Sequence, residues 1–154
     1  MKEVELNVFE HLQDFDVLCV TTNGIVKRDG TAVMGRGIAR AAAYRWDYLP
    51  NALGTILTQK GNHVALMGVA LPRPTETKLW LVSFPTKNHW RDKSDIELIT
   101  RSTWELVALV DSQNFQRVAL PRPGCSNGGL AWEAVKPVIE PLLDDRFTII
   151  SFSE

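Results

Sequence analysis

Residues 16–45 constrain the fold of this 154-residue chain more than any other segment. They begin with a short apolar run, residues 17–20, which is typical of a buried strand. After a polar turn, Gly35-Arg36-Gly37 leads directly into an alanine-rich segment that predicts a helix over Ile38–Arg45. A glycine loop that opens a helix presents backbone N–H groups at the positive end of the helix dipole. The segment therefore predicts an anion site, most often one for a phosphate.

The spacing excludes two common phosphate-binding motifs. A dinucleotide fingerprint requires a glycine where Arg40 stands and a glycine turn directly after the strand. No GxxxxGK[ST] sequence occurs, which excludes a P-loop. A lone Gly-x-Gly is equally typical of close helix–sheet packing, so a second element is needed before this loop indicates a ligand.

Composition indicates one ordinary globular domain over residues 1–154. Apolar residues make up 45% of the chain and charged residues 23%, and the formal net charge of −1 excludes a nucleic-acid or membrane binder that works through bulk charge. No segment has the pattern of a signal peptide or the length of a transmembrane helix. Two cysteines and three scattered histidines predict neither a disulfide framework nor zinc ligation. We expect a cytoplasmic monomer without metal or cofactor.

Alternating apolar segments predict a three-layer α/β/α sandwich with a mixed, mostly parallel central sheet. The sheet is expected to be mixed because no helix separates the first two strands, and residues 63–71 suit a central strand. Ser94-Asp95-Ile96-Glu97 has the pattern of a capping box with Ser94 at the helix start. The remaining predicted strands are residues 4–8, 78–84, 117–120 and 147–152, the remaining helices are 47–60 and 132–143 (interrupted by Pro137 and Pro141), and residues 72–77 are expected to form a turn.

The second element is another glycine loop, GCSNGG, from Gly124 to Gly129. It follows a predicted strand and precedes a predicted helix, so it is a second candidate anion nest. If the two preceding strands are parallel, both loops lie at the same edge of the sheet. Two backbone nests that face one cleft suit a diphosphate better than a single phosphate.

Three motifs in this order resemble the macrodomain family, which binds ADP-ribose. DVLCVTTNG, AVMGRGIA and LPRPGCSNGGLAW correspond to its strand with a following Asn and its two glycine loops. The chain is most similar to the DNA ADP-ribosyl glycohydrolase antitoxins and the terminal ADP-ribose protein glycohydrolases. The antitoxins also carry an FPTK-x-HW segment, which stands here as FPTKNHW, residues 84–90.

The resemblance implies a set of ligand contacts. Asn7 and Val8, at the end of the first strand, fall where the family holds adenine, with Asn in place of the usual Asp. Asn23 corresponds to the residue that contacts the distal ribose, and the second loop would donate N–H groups to the diphosphate. The implied ligand-binding residues are Asn7, Val8, Thr22, Asn23, Met34, Gly35, Arg36, Gly37, Ile38, Pro123, Gly124, Cys125, Ser126, Asn127, Gly128 and Gly129.

For catalysis the resemblance implies Lys87, assisted by Asn23 and His89. In the similar hydrolases a lysine acts at the anomeric carbon of the distal ribose, where an amine can form a Schiff base with the ring-opened sugar. The protein-directed enzymes pair this lysine with an aspartate, and the corresponding position here is Gly128. The DNA-directed enzymes also lack that aspartate, which favours the DNA-directed group.

Three functions remain open from the sequence. The first is hydrolytic removal of ADP-ribose from a modified macromolecule, including single-stranded DNA or RNA as the target. The second is a phosphatase acting on ADP-ribose 1''-phosphate, and the third is a non-catalytic ADP-ribose reader. Trp90 is either a platform for a nucleic-acid base or an anchor of its own loop.

Overall fold

The computed structural model describes residues 1–70 and 78–152 and contains a six-stranded sheet in the order β1-β6-β5-β2-β4-β3. Four neighbouring pairs are parallel, and β3 with β4 is the one antiparallel pair in this sheet. This confirms the mixed, mostly parallel sheet. The strands are β1 Lys2–Glu5, β2 Val17–Thr22, β3 Ala65–Val69, β4 Trp80–Pro85, β5 Val118–Pro121 and β6 Phe147–Ser151.

Helices cover both faces of the sheet. They are α1 Ile38–Arg45, α2 Leu49–Lys60, α3 Ile96–Gln113 and α4 Trp132–Ile139. Strand β2 shows how the layers are joined, because its side chains alternate between the faces. Leu18 and Val20 pack into the core formed with α1 and α2, whereas Val17 and Cys19 pack into the core formed with α3 and α4. The three-layer sandwich is therefore confirmed.

The first two strands do not form the antiparallel pair that the lack of a helix between them leads us to expect. β1 ends at Glu5 and lies beside β6, in parallel, at one edge of the sheet. The chain leaves β1 early because the side-chain oxygen of Asn7 accepts from the Phe9 N–H (3.1 Å) and begins a short 3₁₀ turn, so Asn7 and Val8 do not lie in a strand. β5 and β6 then separate β1 from β2.

The central place expected for residues 63–71 is also wrong. β3 is the opposite edge strand. Met67 is buried and the other residues of β3 are half-buried because α2 packs against the strand, and the Tyr48 hydroxyl donates to the Val69 carbonyl oxygen (2.7 Å) at its end. Leu71 and the turn expected over residues 72–77 lie outside the described residues.

Helix α3 begins one residue later than the capping-box pattern predicts. The N-cap is Asp95, whose carboxylate accepts from the N–H groups of Glu97 (2.9 Å) and Leu98 (3.4 Å). Ser94 is buried instead, and its N–H donates to the Gly128 carbonyl oxygen (2.9 Å). The interruption of the last helix is confirmed, since α4 contains Pro137 and gives way to a 3₁₀ turn at Glu140.

The topology brings the chemistry-bearing loops together. β2 pairs in parallel with both β4 and β5, so the segments that follow these three strands leave the same edge of the sheet. This confirms that both glycine loops lie at one edge. Among the described helices, none combines the length and apolar character needed to cross a bilayer.

Candidate functional site

A cleft of about 1130 Å³ lies at the carboxyl ends of the parallel strands. Most of the residues proposed from the sequence line it: Asn7, Thr22, Asn23, Met34, Gly35, Arg36, Gly37, Ile38, Lys87, Gly124, Cys125, Ser126, Asn127 and Gly128. The structure therefore brings the two glycine loops and the lysine segment to one site.

The first glycine loop presents free backbone donors. Gly35 and Gly37 have φ angles of 66° and 64°, a conformation that side chains rarely tolerate. Helix α1 has no side-chain N-cap, and the N–H groups of Arg36, Gly37 and Ile38 meet no acceptor within the described residues. Three free donors at a helix N-terminus form an anion site.

Asn23 holds this loop in place. Its side chain is buried, its Nδ2 donates to the Val33 carbonyl oxygen (2.9 Å), and its Oδ1 accepts from the Ile25 N–H (3.0 Å). A Cβ placed at Gly35 would lie 3.8 Å from the same Nδ2. Asn23 therefore fixes the path of the loop before it contacts any ligand.

The second glycine loop forms a matching nest. The N–H groups of Ser126, Asn127 and Gly128 also meet no acceptor in the described parts of the chain. Gly124 has a φ of 77°, and its carbonyl oxygen accepts from the Leu130 N–H (2.9 Å), which closes the loop into a compact ring. Successive unpaired N–H groups in such a ring bind anions.

Position 128 has no room for a side chain. A Cβ at Gly128 would overlap the Ser94 hydroxyl and lie 2.5 Å from the Gly124 carbonyl oxygen. Backbone at such a distance cannot give way cheaply, so an aspartate at this position would require the loop to change shape. The requirement for glycine at this position is thus built into the loop.

The two nests adjoin each other in the cleft. A Cβ at Gly37 would lie 2.9 Å from the Nδ2 of Asn127, so the two loops nearly touch there. The six residues with free N–H groups, three from each loop, all line this cleft. This arrangement suits the adjacent negative charges of a diphosphate.

Lys87 reaches the second nest from the segment after β4. Its Nζ lies 3.4 Å from the Asn127 carbonyl oxygen and 3.5 Å from that of Trp90, both long for hydrogen bonds. No carboxylate pairs with it among the described residues. The backbone is held by Asn62, whose Nδ2 donates to the Lys87 carbonyl oxygen (2.9 Å).

Two buried hydroxyl groups also face the cleft without partners. Thr22 and Ser94 are 6% and 7% exposed, both line the cleft, and neither Oγ atom has a hydrogen-bond partner in the part of the chain that the structure describes. Buried hydroxyls without a partner are rare and favour a bound ligand or water. Sequence reasoning missed Ser94 because the capping pattern gave it a different role, and it also missed Thr86, Arg122 and Phe152, which line the cleft.

Four proposed residues do not line the cleft: Val8, His89, Pro123 and Gly129. The Val8 side chain is completely buried in the core. The His89 ring stacks on Trp90 (centroids 5.5 Å apart), and its Nδ1 accepts from the Arg91 N–H (3.1 Å). Pro123 is buried, and Gly129 faces the side chain of Lys93.

The thiol in the second loop stays neutral. Burial raises the pKa of Cys125 above its ordinary value, and Glu133 raises it further against the opposing effect of Arg122. The Sγ atom lies 3.4 Å from the Pro123 carbonyl oxygen. A protonated half-buried thiol adds no negative charge beside the nest, so it is compatible with an anionic ligand.

Comparison with known proteins identifies similar sequences and folds. Residues 31–139 match the family model "Macro domain". A DNA ADP-ribosyl glycohydrolase of Mycobacterium tuberculosis is 30% identical over 122 residues, which are 79% of this chain and 35% of that protein, so the chain spans about a third of that relative.

Solved structures agree with this match. The macrodomain of Thermus aquaticus DarG superposes with a TM-score of 0.73 at 25% identity, over 99% of this chain and 97% of that one. Thermosipho africanus DarTG, solved in complex with ADP-ribose, superposes with a TM-score of 0.75 at 22% identity, over 97% of this chain and 42% of that one.

Proposed function

The chain belongs to the macro domain family, and on that premise we propose that it is a glycohydrolase that releases ADP-ribose from ADP-ribosylated DNA. The observation that carries the proposal is that six residues with free N–H groups line one cleft together with the Lys87 amine. The name of the Mycobacterium tuberculosis relative supports the choice of DNA as the substrate.

In this proposal the two nests bind the diphosphate of ADP-ribose. Gly37 and Asn127 both line the site proposed for the phosphates, where backbone N–H groups stabilise negative charge without adding a mobile cation. Asn7 and Phe152 line one part of the cleft and are assigned to the adenosine half, while Asn23 and Lys87 are assigned to the distal ribose.

Lys87 is proposed as the nucleophile. The uncharged amine attacks the anomeric carbon, the bond from that carbon to the base nitrogen breaks, and the base leaves with one proton of the amine. The ribose ring then opens as the bond from the anomeric carbon to the ring oxygen breaks, the ring oxygen takes the second amine proton, and an imine to Lys87 remains. Water then adds to the resulting imine, which returns the free amine and the aldehyde that closes to ADP-ribose. The geometry that supports this role is the 3.4 Å separation between Lys87 Nζ and the Asn127 carbonyl oxygen, beside the proposed diphosphate site.

The closed space at Gly128 supports a DNA substrate over a protein substrate. An aspartate partner for the lysine would need room that Ser94 and the Gly124 carbonyl occupy. Chemistry at this site therefore relies on Lys87 without a neighbouring carboxylate from the second loop, as in the DNA-directed enzymes that the sequence resembles.

A side-by-side assay tests the proposal. The protein is incubated with ADP-ribosylated single-stranded DNA, an ADP-ribosylated protein and ADP-ribose 1''-phosphate, and the products are separated by chromatography. We expect free ADP-ribose from the DNA at the highest rate. Phosphate release alone would identify a phosphatase, and ADP-ribose binding with no product from any substrate would identify a reader.

A further inference from the structure

Cations gather at the Lys87 end of the cleft although the chain as a whole carries a formal charge of −1. Arg36 stands between the two glycines of the first loop, Lys87 and Arg91 line the cleft, and the Lys93 side chain runs beside Gly129. Within residues 1–70 and 78–152 none of the four forms an ion pair.

The local balance of charge remains positive. The segment between β4 and α3 contributes two basic residues, Lys87 and Arg91, to the described lining of the cleft. It contributes one acidic residue, Asp92. Elsewhere in the described residues some cations are paired with acids, such as Arg117 with Asp16 (3.0 Å) and Lys136 with Glu3 (2.7 Å), and others, such as Lys27 and Lys60, are not, so it is the position of the four cations beside the cleft that matters. Unpaired cations around the mouth of the cleft attract an anion that extends beyond the diphosphate proposed for the two nests.

An aromatic platform lies in the same place. Trp90 is 42% exposed at the cleft, which is unusual for a large apolar side chain. The Arg91 guanidinium carbon lies 4.7 Å from the Trp90 ring centroid, and the His89 ring is stacked at 5.5 Å with a 26° interplanar angle. This contact set holds the indole in one orientation, which lowers the entropy lost when a partner stacks on it.

We propose that Arg36, Trp90, Arg91 and Lys93 form a rim, which binds the single-stranded DNA that flanks the ADP-ribosylated nucleotide. A flanking base stacks on Trp90 or on the Arg91 guanidinium, and the cations contact phosphates of the strand. Lys87 Nζ lies beside both the Trp90 carbonyl oxygen in the rim and the Asn127 carbonyl oxygen in the second nest. The flanking strand therefore leaves the cleft next to the scissile bond. The inference rests on the proposed function and assigns its substrate a second contact surface.

Binding of an unmodified oligonucleotide tests the rim separately from catalysis. The intact protein is titrated into a labelled short oligodeoxythymidine at several salt concentrations, and fluorescence anisotropy gives the affinity. We expect Trp90→Ala to weaken binding by about tenfold, since stacking on an aromatic ring contributes on that order per base. Arg91→Ala should weaken binding and reduce the salt slope by about 0.7, the value for one phosphate contact on a single strand.

The matched control is Trp104→Ala. Trp104 is 60% exposed on α3, its neighbour Arg101 pairs with Glu105 (3.8 Å), and no cation lies over its ring within the described residues. We expect Trp104→Ala to bind the oligonucleotide like the parent protein. Calorimetric titration with ADP-ribose shows that each variant keeps its folded nests, with affinity expected to stay within a fewfold of the parent.

Three outcomes would overturn the rim. They are parent-like affinity in Trp90→Ala, an equal loss in Trp104→Ala, and equal binding of duplex DNA, whose bases are not free to stack. Each leaves the proposed function standing if ADP-ribose is still released from ADP-ribosylated DNA. Conversely, normal oligonucleotide binding with no such release overturns the proposed function and leaves the rim.

Discussion

The side-chain nitrogen of Lys87 lies 3.4 Å from the carbonyl oxygen of Asn127, a residue 40 positions later in the sequence. The contact links the segment after β4 to the second glycine loop. A second link runs to the segment after β2, because the Gly24 N–H donates to the Asn88 carbonyl oxygen (3.1 Å). The segment that carries Lys87 is thus linked to the loops that follow both neighbouring strands, β2 and β5. A group that acts on a bound sugar requires such fixed positioning.

Gly37→Glu should abolish ADP-ribose binding. The new side chain would begin 2.9 Å from Asn127 Nδ2 and would place a carboxylate where the diphosphate is proposed to bind. The control is Gly30→Glu, since Gly30 has a similar positive φ of 88° but no atom within 4 Å of a Cβ. Calorimetry should give no heat for the first variant and parent-like affinity for the second. Retained affinity in Gly37→Glu, with the protein folded by circular dichroism, would mean that the phosphates bind elsewhere.

Asp95→Ala should lower the free energy of unfolding by about 1 kcal/mol, the usual contribution of a helix N-cap. Its carboxylate accepts from the N–H groups of Glu97 and Leu98. Ser94→Ala should not destabilise the protein in this way, because the Ser94 hydroxyl has no partner among the residues that the structure describes. Urea denaturation of both variants distinguishes the two caps. A larger loss in Ser94→Ala than in Asp95→Ala would restore the capping box that the sequence pattern suggests.

The stabilising effect of Asp16 should disappear in acid. Burial alone would raise the pKa of this carboxyl, but hydrogen bonds from the Gln116 N–H (3.0 Å) and from Arg117 (2.9 and 3.0 Å) lower it overall, below its ordinary value of 3.8. A depressed pKa in the folded state means that stability is present above about pH 4 and is lost as the pH falls through the folded value.

Urea denaturation of the parent and Asp16→Asn at pH 7 and at pH 3 measures this effect. We expect the variant to be less stable at pH 7 and the difference to shrink at pH 3, because pH 3 lies below the ordinary pKa of 3.8 and unfolding of the parent then takes up a proton. A difference that is the same at both values would show that the carboxylate charge contributes nothing. Asp47→Asn is the control, because Asp47 is exposed and forms no ion pair among the described residues.

The sequence predicts the layers and the cleft because both follow from local patterns. Apolar runs separated by helical segments define the sandwich, and glycine loops after two strands define the nests once the strands are parallel. The same reasoning misplaced β3, because an apolar run looks alike in a central strand and in an edge strand that is covered by Tyr48 and α2. It misplaced the end of β1 because it did not include the side-chain turn at Asn7.

The missed site residues share a physical reason. Ser94 and Thr86 reach the cleft through tertiary hydrogen bonds, from the Ser94 N–H to Gly128 (2.9 Å) and from the Thr86 N–H to Thr22 (3.0 Å), which no sequence spacing encodes. The closed space at Gly128 is likewise visible only when the Ser94 hydroxyl is placed beneath it.

The central claim is that Lys87 acts as a nucleophile at the anomeric carbon. The most direct measurement is the single-turnover rate of ADP-ribose release by the parent, Lys87→Ala and Lys87→Arg, each in saturating excess over ADP-ribosylated single-stranded DNA, with ADP-ribose affinity measured in parallel. We expect both variants to lose the rate by orders of magnitude while their affinity for ADP-ribose changes little, since the lost interaction acts in the transition state. Lys87→Arg keeps the positive charge, so an equal loss of rate in that variant shows that the amine and not the charge is required. Borohydride should trap a covalent adduct on the parent protein only. A parent-like rate in Lys87→Ala would contradict the account.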